Sequence, residues 1–532
     1  MNQHITWKSL NPDVTVEQLC GTITSHAPNS AHVNPTDTHP SSGKAAHLRH
    51  FLIPMHTFLW HDYETFGANT RRSRPAQFAA VRTDAELNQI GDPMVLYCQP
   101  ANDFLPEPQA CLLTGITLQE CLEKGIPEYE FAAKIEQALA WPGTVGVGYN
   151  TIRFDDEMTR FMFWRNLIDP YAREWQNECG RWDLLDVVRT AYALRPDGIH
   201  WPVTEQGKPS FKLTDLSAAN ALVHESAHDA LSDVYATMAL AKLIKTTQPK
   251  LFDFCFGLYK KNRVMTELGL PTTQSNAQPF WHISGMFAPE RGCLALMWPL
   301  AMHPSNKNEL LAWDLAHHPR ELGSLNADQI RLRLFTKTAD LPEGVSRLPV
   351  KSVHLNKSPM VMRNLKVLTD SMAQRWGIDL PAQLQHAAYA RDLPDMSAIW
   401  ERVYQREATW VDVDEDLYSG FIGNADRRLL CTLRRSTPAQ LAQARPKFED
   451  TRLPELLWRY RARNFPDSLS DQEKLLWQAH RAKILLDGEG GKCTVSAFFE
   501  ELDQLESSVD ERGQGILSAL YDYAEAIVPT PL

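Results

Sequence analysis

The chain has 532 residues, 43% of them hydrophobic and 22% charged, and a formal net charge of −11. This composition is that of a soluble globular protein with about three or four domains. No apolar run approaches the roughly 18 residues of a membrane helix, and the N-terminus lacks the charged start and apolar stretch of a secretory signal, so neither is expected. Nine cysteines, scattered without a C-x-x-C pair, argue against a disulfide framework or a Cys-rich zinc site and fit a reducing cytoplasm.

The acidity is uneven. Residues 56–248 hold 17 Lys and Arg against 26 Asp and Glu, residues 249–405 hold 18 against 14, and residues 406–532 hold 16 against 22. The total argues against nucleic-acid binding, whereas a basic middle third provides a local surface for phosphate.

In chain order, residues 24–50 are rich in Ser, Thr, Pro, His and Asn and read as disordered, within an extension spanning 1–55. "FLWHDYETFG" (58–67) starts as a buried strand and runs into Asp62 and Glu64, which alternation points the same way. Two like charges side by side need either solvent at a strand end or a shared divalent cation. "AQFAAVRT" (76–83) and "PMVLYC" (93–98) predict strands joined near Gly91-Asp92, "YEFAAKIEQAL" (129–139) a helix burying Phe131, Ile135 and Leu139, and "TVGVGYN" (144–150) another strand.

Asp155 and Asp156 open a helix after that strand, where carboxylates are also favoured simply by capping and the dipole. Helical spacing recurs over 183–194 (Leu184, Val188, Tyr192) and 232–245 (Val234, Met238, Ala241). His228 and Asp233 would lie roughly 140° apart on one continuous helix. His228 is better placed on the turn before it, with Asp233 one turn inside. Residues 56–248 thus read as an α/β domain with a mixed sheet.

Residues 249–405 alternate short strand-like runs with prolines and predict a small β-rich domain with added helices. "ATWVDVDEDLYSG" (408–420) reads as a linker, and 406–532 reads as helical.

Asp62-x-Glu64, Asp155 and His228-x4-Asp233, in that order on an α/β frame, resemble the DEDD exonuclease superfamily in its histidine-containing branch. "HDYETFG", "GYNTIRFDDE", "RWDLLDVVRTAYALRPDGI", "AHDALSDVYAT" and "LLWRYRARNFP" extend the resemblance to the bacterial exonuclease I family over about residues 57 to 530. The resemblance implies a ribonuclease-H-like nuclease domain (56–248), a small Src-homology-3-like barrel domain (249–405) and a helical C-terminal domain (406–532). It implies a monomeric, Mg²⁺-dependent 3′→5′ exonuclease that releases 5′-mononucleotides from single-stranded DNA in repair and recombination. Two Mg²⁺ ions, replaceable by Mn²⁺, would be held by Asp62, Glu64, Asp155 and Asp233, with His228 as general base. The neighbouring Asp156 could exchange roles with Asp155; as the non-ligand, its alanine variant should keep most activity.

Carried over residue by residue, the DNA contacts are Glu64, Thr65, Phe66, Arg160, Tyr171, Trp175, Arg189, Arg195, Phe211 and Lys212, with Lys212 standing where the family commonly has Arg. In the middle domain Lys260, Lys261, Arg263, Asn308 and Lys357 are candidates for the backbone path. Single-stranded DNA-binding protein, through its acidic C-terminal tail, is the expected protein partner. The alternatives are an exoribonuclease of the same branch and a catalytically dead single-strand-binding scaffold.

Overall fold

A computed structural model describes residues 56–529 except 225–227, 273–275 and 406–408. The 1–55 extension lies outside the described residues.

Strands β1 (Thr57–Thr65), β2 (Pro75–Thr83), β3 (Met94–Gln99), β4 (Ile126–Pro127), β5 (Thr144–Gly148) and β6 (Gly180–Asp183) form one sheet in the order β4-β3-β2-β1-β5-β6. β1, β2 and β3 pair antiparallel, while β5 runs parallel to β1 and β6 parallel to β5. The sheet is therefore mixed, as expected. β4 and β6 are too short to show a period of their own, and the sequence reading did not contain them. Helices α1 (Glu128–Leu139), α2 (Asp155–Arg165), α3 (Leu184–Leu194) and α4 (Ala230–Thr247) accompany it. The predicted inward residues of α1, α3 and α4, among them Ile135, Val188 and Val234, are buried.

A second, antiparallel sheet has the order β10-β9-β8-β7-β11, built from β7 (Phe280–Ile283), β8 (Leu294–Met302), β9 (Glu309–Asp314), β10 (Val350–His354) and β11 (Met360–Met362). Pro299 would cost a ladder hydrogen bond inside β8; it sits where the register against β9 shifts, which is where a strand tolerates it. The C-terminal region carries α5 (Asn424–Arg434), α6 (Leu453–Asn464), α7 (Asp471–Leu485), α8 (Val495–Glu506) and α9 (Glu511–Ile527). No helix among the described residues is long and apolar enough to cross a membrane.

The three regions share cores. One apolar cluster runs from Trp60, Val147 and Trp182 under the first sheet to Trp281, Leu296 and Trp313 in the second. Another joins Phe66 and Cys121 to Phe498 and Leu520, and a third joins Phe161 and Trp164 of α2 to Leu417 and Leu456. Each large side chain buried at such a joint contributes about 1.5–3 kcal/mol, so the regions hold one another in place.

From residue 409 to 420 the stretch read as a linker does more than connect. Asp412 and Asp414 are buried and paired with Arg459 of α6 at 2.8 and 3.0 Å, and Arg463 bridges Asp414 to Asp103 of the nuclease region. Trp164 Nε1 donates to Val413 O at 2.7 Å. Arg459 and Arg463 of "LLWRYRARNFP" thus lock the strap to the nuclease region, an assignment their spacing along α6 could not reveal.

Candidate active site

β1 is longer than its parallel neighbour. β5 pairs with Thr57–Trp60 only, so Asp62, Tyr63 and Glu64 extend beyond it on that side. The chain leaves β5, turns and begins α2 at Asp155, whose carboxylate takes the place of the missing strand: Tyr63 N–H donates to Asp155 Oδ1 at 3.1 Å. The turn is pinned by Asp183, which accepts from the backbone N–H groups of Asn150, Ile152 and Leu185 at 2.9, 3.1 and 3.0 Å.

From the other flank, Gln77 of β2 accepts from Ala230 N–H at 3.2 Å and fixes the start of α4 beside the sheet. Asp229 caps the helix by accepting from Ser232 N–H. His228 precedes it with φ 64°, in the left-handed region. One ligand atom each of Glu64, His228 and Asp233 lie within 4.8 Å of one another. The turn-then-helix placement of His228 and Asp233 brings both to the Glu64 carboxylate.

The electrostatics are those of crowded anions. Burial, then Asp155, Glu64, Asp233 and Asp229, raises the Asp62 carboxyl well above the usual range. Burial, then Asp233 and Asp229, pushes Glu64 up to about 8. Burial and Asp156 raise Asp155 against the opposing effect of the Tyr63 N–H. Carboxylates that repel one another this strongly suit the chemistry of a hard divalent cation.

Asp156 points elsewhere. It is buried between Arg173 and Arg181 at 2.5 and 3.0 Å. Burial alone would raise its carboxyl; Arg173, then Arg181 and Arg160, outweigh that and hold it well below the usual range. An exchange of roles with Asp155 finds no support here, and Asp156 is not the benign control that its neighbourhood in sequence suggested. His224, which the sequence reading did not single out, lies with Nε2 2.5 Å from Asp233 Oδ1. The repeated histidine in "HESAH" was the available signal.

The expected DNA contacts divide. Trp175 is 64% exposed, Tyr171 is half-buried, and Lys212 and Arg195 are exposed. Lys261 and Asn308 meet, with Nζ 2.5 Å from Oδ1. Arg189 is paired with Asp186 and lies 6.0 Å from the centroid of the half-buried Phe211 ring. Three of the expected contacts are buried. Phe66 is 1% exposed and packs into the core shared with the C-terminal helices, so its ring is not presented to a nucleotide. Thr65, also buried, spends its hydroxyl on Gly67 O. Arg160 is buried under Glu174 and Glu157, at 2.7 and 2.8 Å, which already occupy its guanidinium. Lys357 reaches Glu157 at 3.4 Å across the joint between the first two regions.

Family profiles match the chain in three segments: one described as "Exonuclease" over 59–241, an exonuclease I SH3-like domain over 259–406 and an exonuclease I C-terminal domain over 411–527. Exodeoxyribonuclease I of Escherichia coli K12 is 43% identical over 477 residues, 89% of this chain and 98% of that protein. The chain belongs to the exonuclease I family. Among solved structures, exonuclease I from Methylocaldum szegediense superposes with a TM-score of 0.84 at 45% identity, covering 89% of this chain and all of the other. The zinc-bound form of the E. coli exonuclease I–single-stranded DNA complex gives 0.83 at 42%, with the same coverage. A structure of SSB/exonuclease I in complex with the inhibitor CFAM gives 0.81 at 42%, again with that coverage. Exonuclease I membership accounts for the three regions.

Proposed function

We infer that this exonuclease I family member removes 5′-mononucleotides from the 3′ end of single-stranded DNA. The observation that supports this most directly is the meeting of Asp62, Glu64, Asp155 and Asp233, from two flanks of one sheet, into a mutually repelling set with His228 beside it.

The donor set fits two Mg²⁺ ions. Asp62 would be the shared carboxylate, Glu64 and Asp233 would complete one ligand set, and Asp155 would serve the other. When bound, the metals supply charge for the scissile phosphate and acidify water. The remaining tasks belong to the chain. His228 takes the proton of the attacking water, a role suited to an imidazole on an exposed turn. His224 holds Asp233 in one orientation. Lys261 with Asn308, and Lys212 with the rings of Tyr171 and Trp175, offer cations to the backbone and faces to the bases. The protein is read as a cytoplasmic monomer; the eight described cysteines are all free, which fits a reducing compartment. Single-stranded DNA-binding protein, by its acidic tail, is the proposed partner.

Digestion of a 5′-labelled DNA strand, with Mg²⁺ and with chelator, tests the activity, and a matched RNA strand tests the substrate. Equal cleavage of RNA would move the protein to the exoribonuclease reading; binding without cleavage would make it a scaffold.

His228→Ala is expected to lower turnover by roughly 10²–10⁴-fold, the usual worth of a positioned base. Its pH–rate profile should lose the acidic limb while the Mg²⁺ dependence hardly moves. A retained acidic limb would assign it to another group. Lys261→Ala should flatten the slope of log K against log salt by about 0.7, the value for one phosphate contact on a single strand. An unchanged slope would leave Lys261 as a structural partner of Asn308.

A further inference from the structure

A groove of about 610 Å³ lies at the joint of the nuclease and C-terminal regions, lined by none of the five residues of the carboxylate–histidine site. It is lined by α1 and the 167–179 stretch of the nuclease region and by α5 of the C-terminal region. Leu167, Leu417 and Leu430 give it an apolar floor and belong to the core that joins α2 to the C-terminal region. Two ion pairs, Arg427–Asp169 at 3.3 Å and Arg434–Glu136, already use the two carboxylates of the lining. Lys134 and Arg428, both exposed, add further cations. An apolar floor beneath a net cationic lining suits an apolar segment that carries carboxylates.

The chain itself supplies one close by. Thr57 N–H donates to Gly143 O at 3.1 Å, and Gly143 N–H donates to Asn177 O at 2.9 Å. Asn177 and Cys179 line the groove, so the chain enters the fold beside its wall. In the extension that precedes this point, residues 10–23 hold Leu10, Val14, Val16, Leu19 and Ile23 together with Asp13 and Glu17, and no Lys or Arg. Between Lys8 and Lys44 the only charged residues are Asp13, Glu17 and Asp37. The other apolar runs of the extension, 5–7 and 51–55, contain no carboxylate. The 33 residues 24–56 leave ample chain to reach a groove that starts beside Gly143. Tethering also gives the segment an effective concentration on the order of 1 mM, which a separate partner would have to match.

We propose that residues 10–23 of the N-terminal extension dock in the groove between α1 and α5, with Val16 and Leu19 on the leucine floor and Asp13 and Glu17 facing Lys134 and Arg428. Docking would staple the C-terminal region to the nuclease region from outside, beside the ion pairs that already cross the joint. The floor is mainly aliphatic, which suits valine and leucine side chains better than it suits bases. The assignment is independent of the nuclease reading.

The test uses the full chain with a photo-crosslinking amino acid in place of Lys134, and maps the crosslinks by mass spectrometry. The expected product joins position 134 to residues 10–23 of the same chain. Leu19→Asp should weaken docking roughly 10- to 100-fold, the worth of one buried leucine, while Leu19→Met should keep it. The loss is read as a lower crosslink yield and as faster amide exchange along α5, with an unchanged far-ultraviolet spectrum as the check on folding. A crosslink that avoids residues 10–23, or one indifferent to Leu19→Asp, overturns the proposal. Crosslinks between two chains would give the groove to a second copy, and crosslinks to an added DNA strand in chelator would give it to nucleic acid; either result also overturns it.

Discussion

Asp62→Asn is expected to abolish cleavage of single-stranded DNA and, at the same time, to raise the melting temperature of the metal-free protein. Both follow from one cause. Asp62 lies in the midst of Asp155, Glu64, Asp233 and Asp229, all of which oppose its ionisation. An amide cannot take on the charge that those neighbours oppose. The pH dependence follows with a definite sign. Glu64, held at about 8 in the folded protein, keeps its proton there after the unfolded chain has lost it. Its contribution is complete below the unfolded value near 4.5 and is lost as pH rises through about 8. In chelator, stability should therefore fall between those limits, and less steeply in Asp62→Asn. Added Mg²⁺ should restore it in the wild type by mass action, about 2.7 kcal/mol at a hundredfold excess over Kd. Melting curves with chelator and with Mg²⁺ across that pH range, beside a cleavage assay, make the measurement. Normal cleavage by Asp62→Asn, or a wild-type melting point indifferent to pH and Mg²⁺, would remove Asp62 from the metal set.

The second large effect falls on the next carboxylate along. Asp156→Ala should destabilise the protein by about 3–5 kcal/mol, because it leaves the buried Arg173 guanidinium without its carboxylate partner and Arg181 with Glu174 alone. Arg173 and Arg181 both point at Asp156, and Arg173 Nε and Nη1 already lack partners among the described residues. The denaturant midpoint should drop accordingly, and any loss of activity should follow the loss of folded protein. A metal ligand behaves in the opposite way, losing activity with the fold intact. Should Asp156→Ala unfold at the wild-type midpoint, the buried pairs carry little of the stability at this joint.

Much of this molecule was legible in its sequence where the information is local. Alternation over 58–64 placed Asp62 and Glu64 on one side of a strand, the 3.6 period exposed the inner faces of α1, α3 and α4, and the order of four carboxylates and one histidine carried the family. What only the tertiary structure decided was pairing across distance. Asp155 and Asp156 are chemically the same residue at neighbouring helix positions; β1 and its missing neighbour take one, and two arginines 17 and 25 residues further on take the other. Phe66 read as a substrate contact because it follows the metal strand, and became core because helices more than 400 residues later cover it. Asp412 and Asp414 read as a solvated linker because nothing nearby opposes them, while their partners lie on α6. Periodicity reports which face of an element is apolar. Which distant group neutralises a buried charge depends on how the elements pack, and the pairing energy that selects the partner exists only once the chain has closed around it.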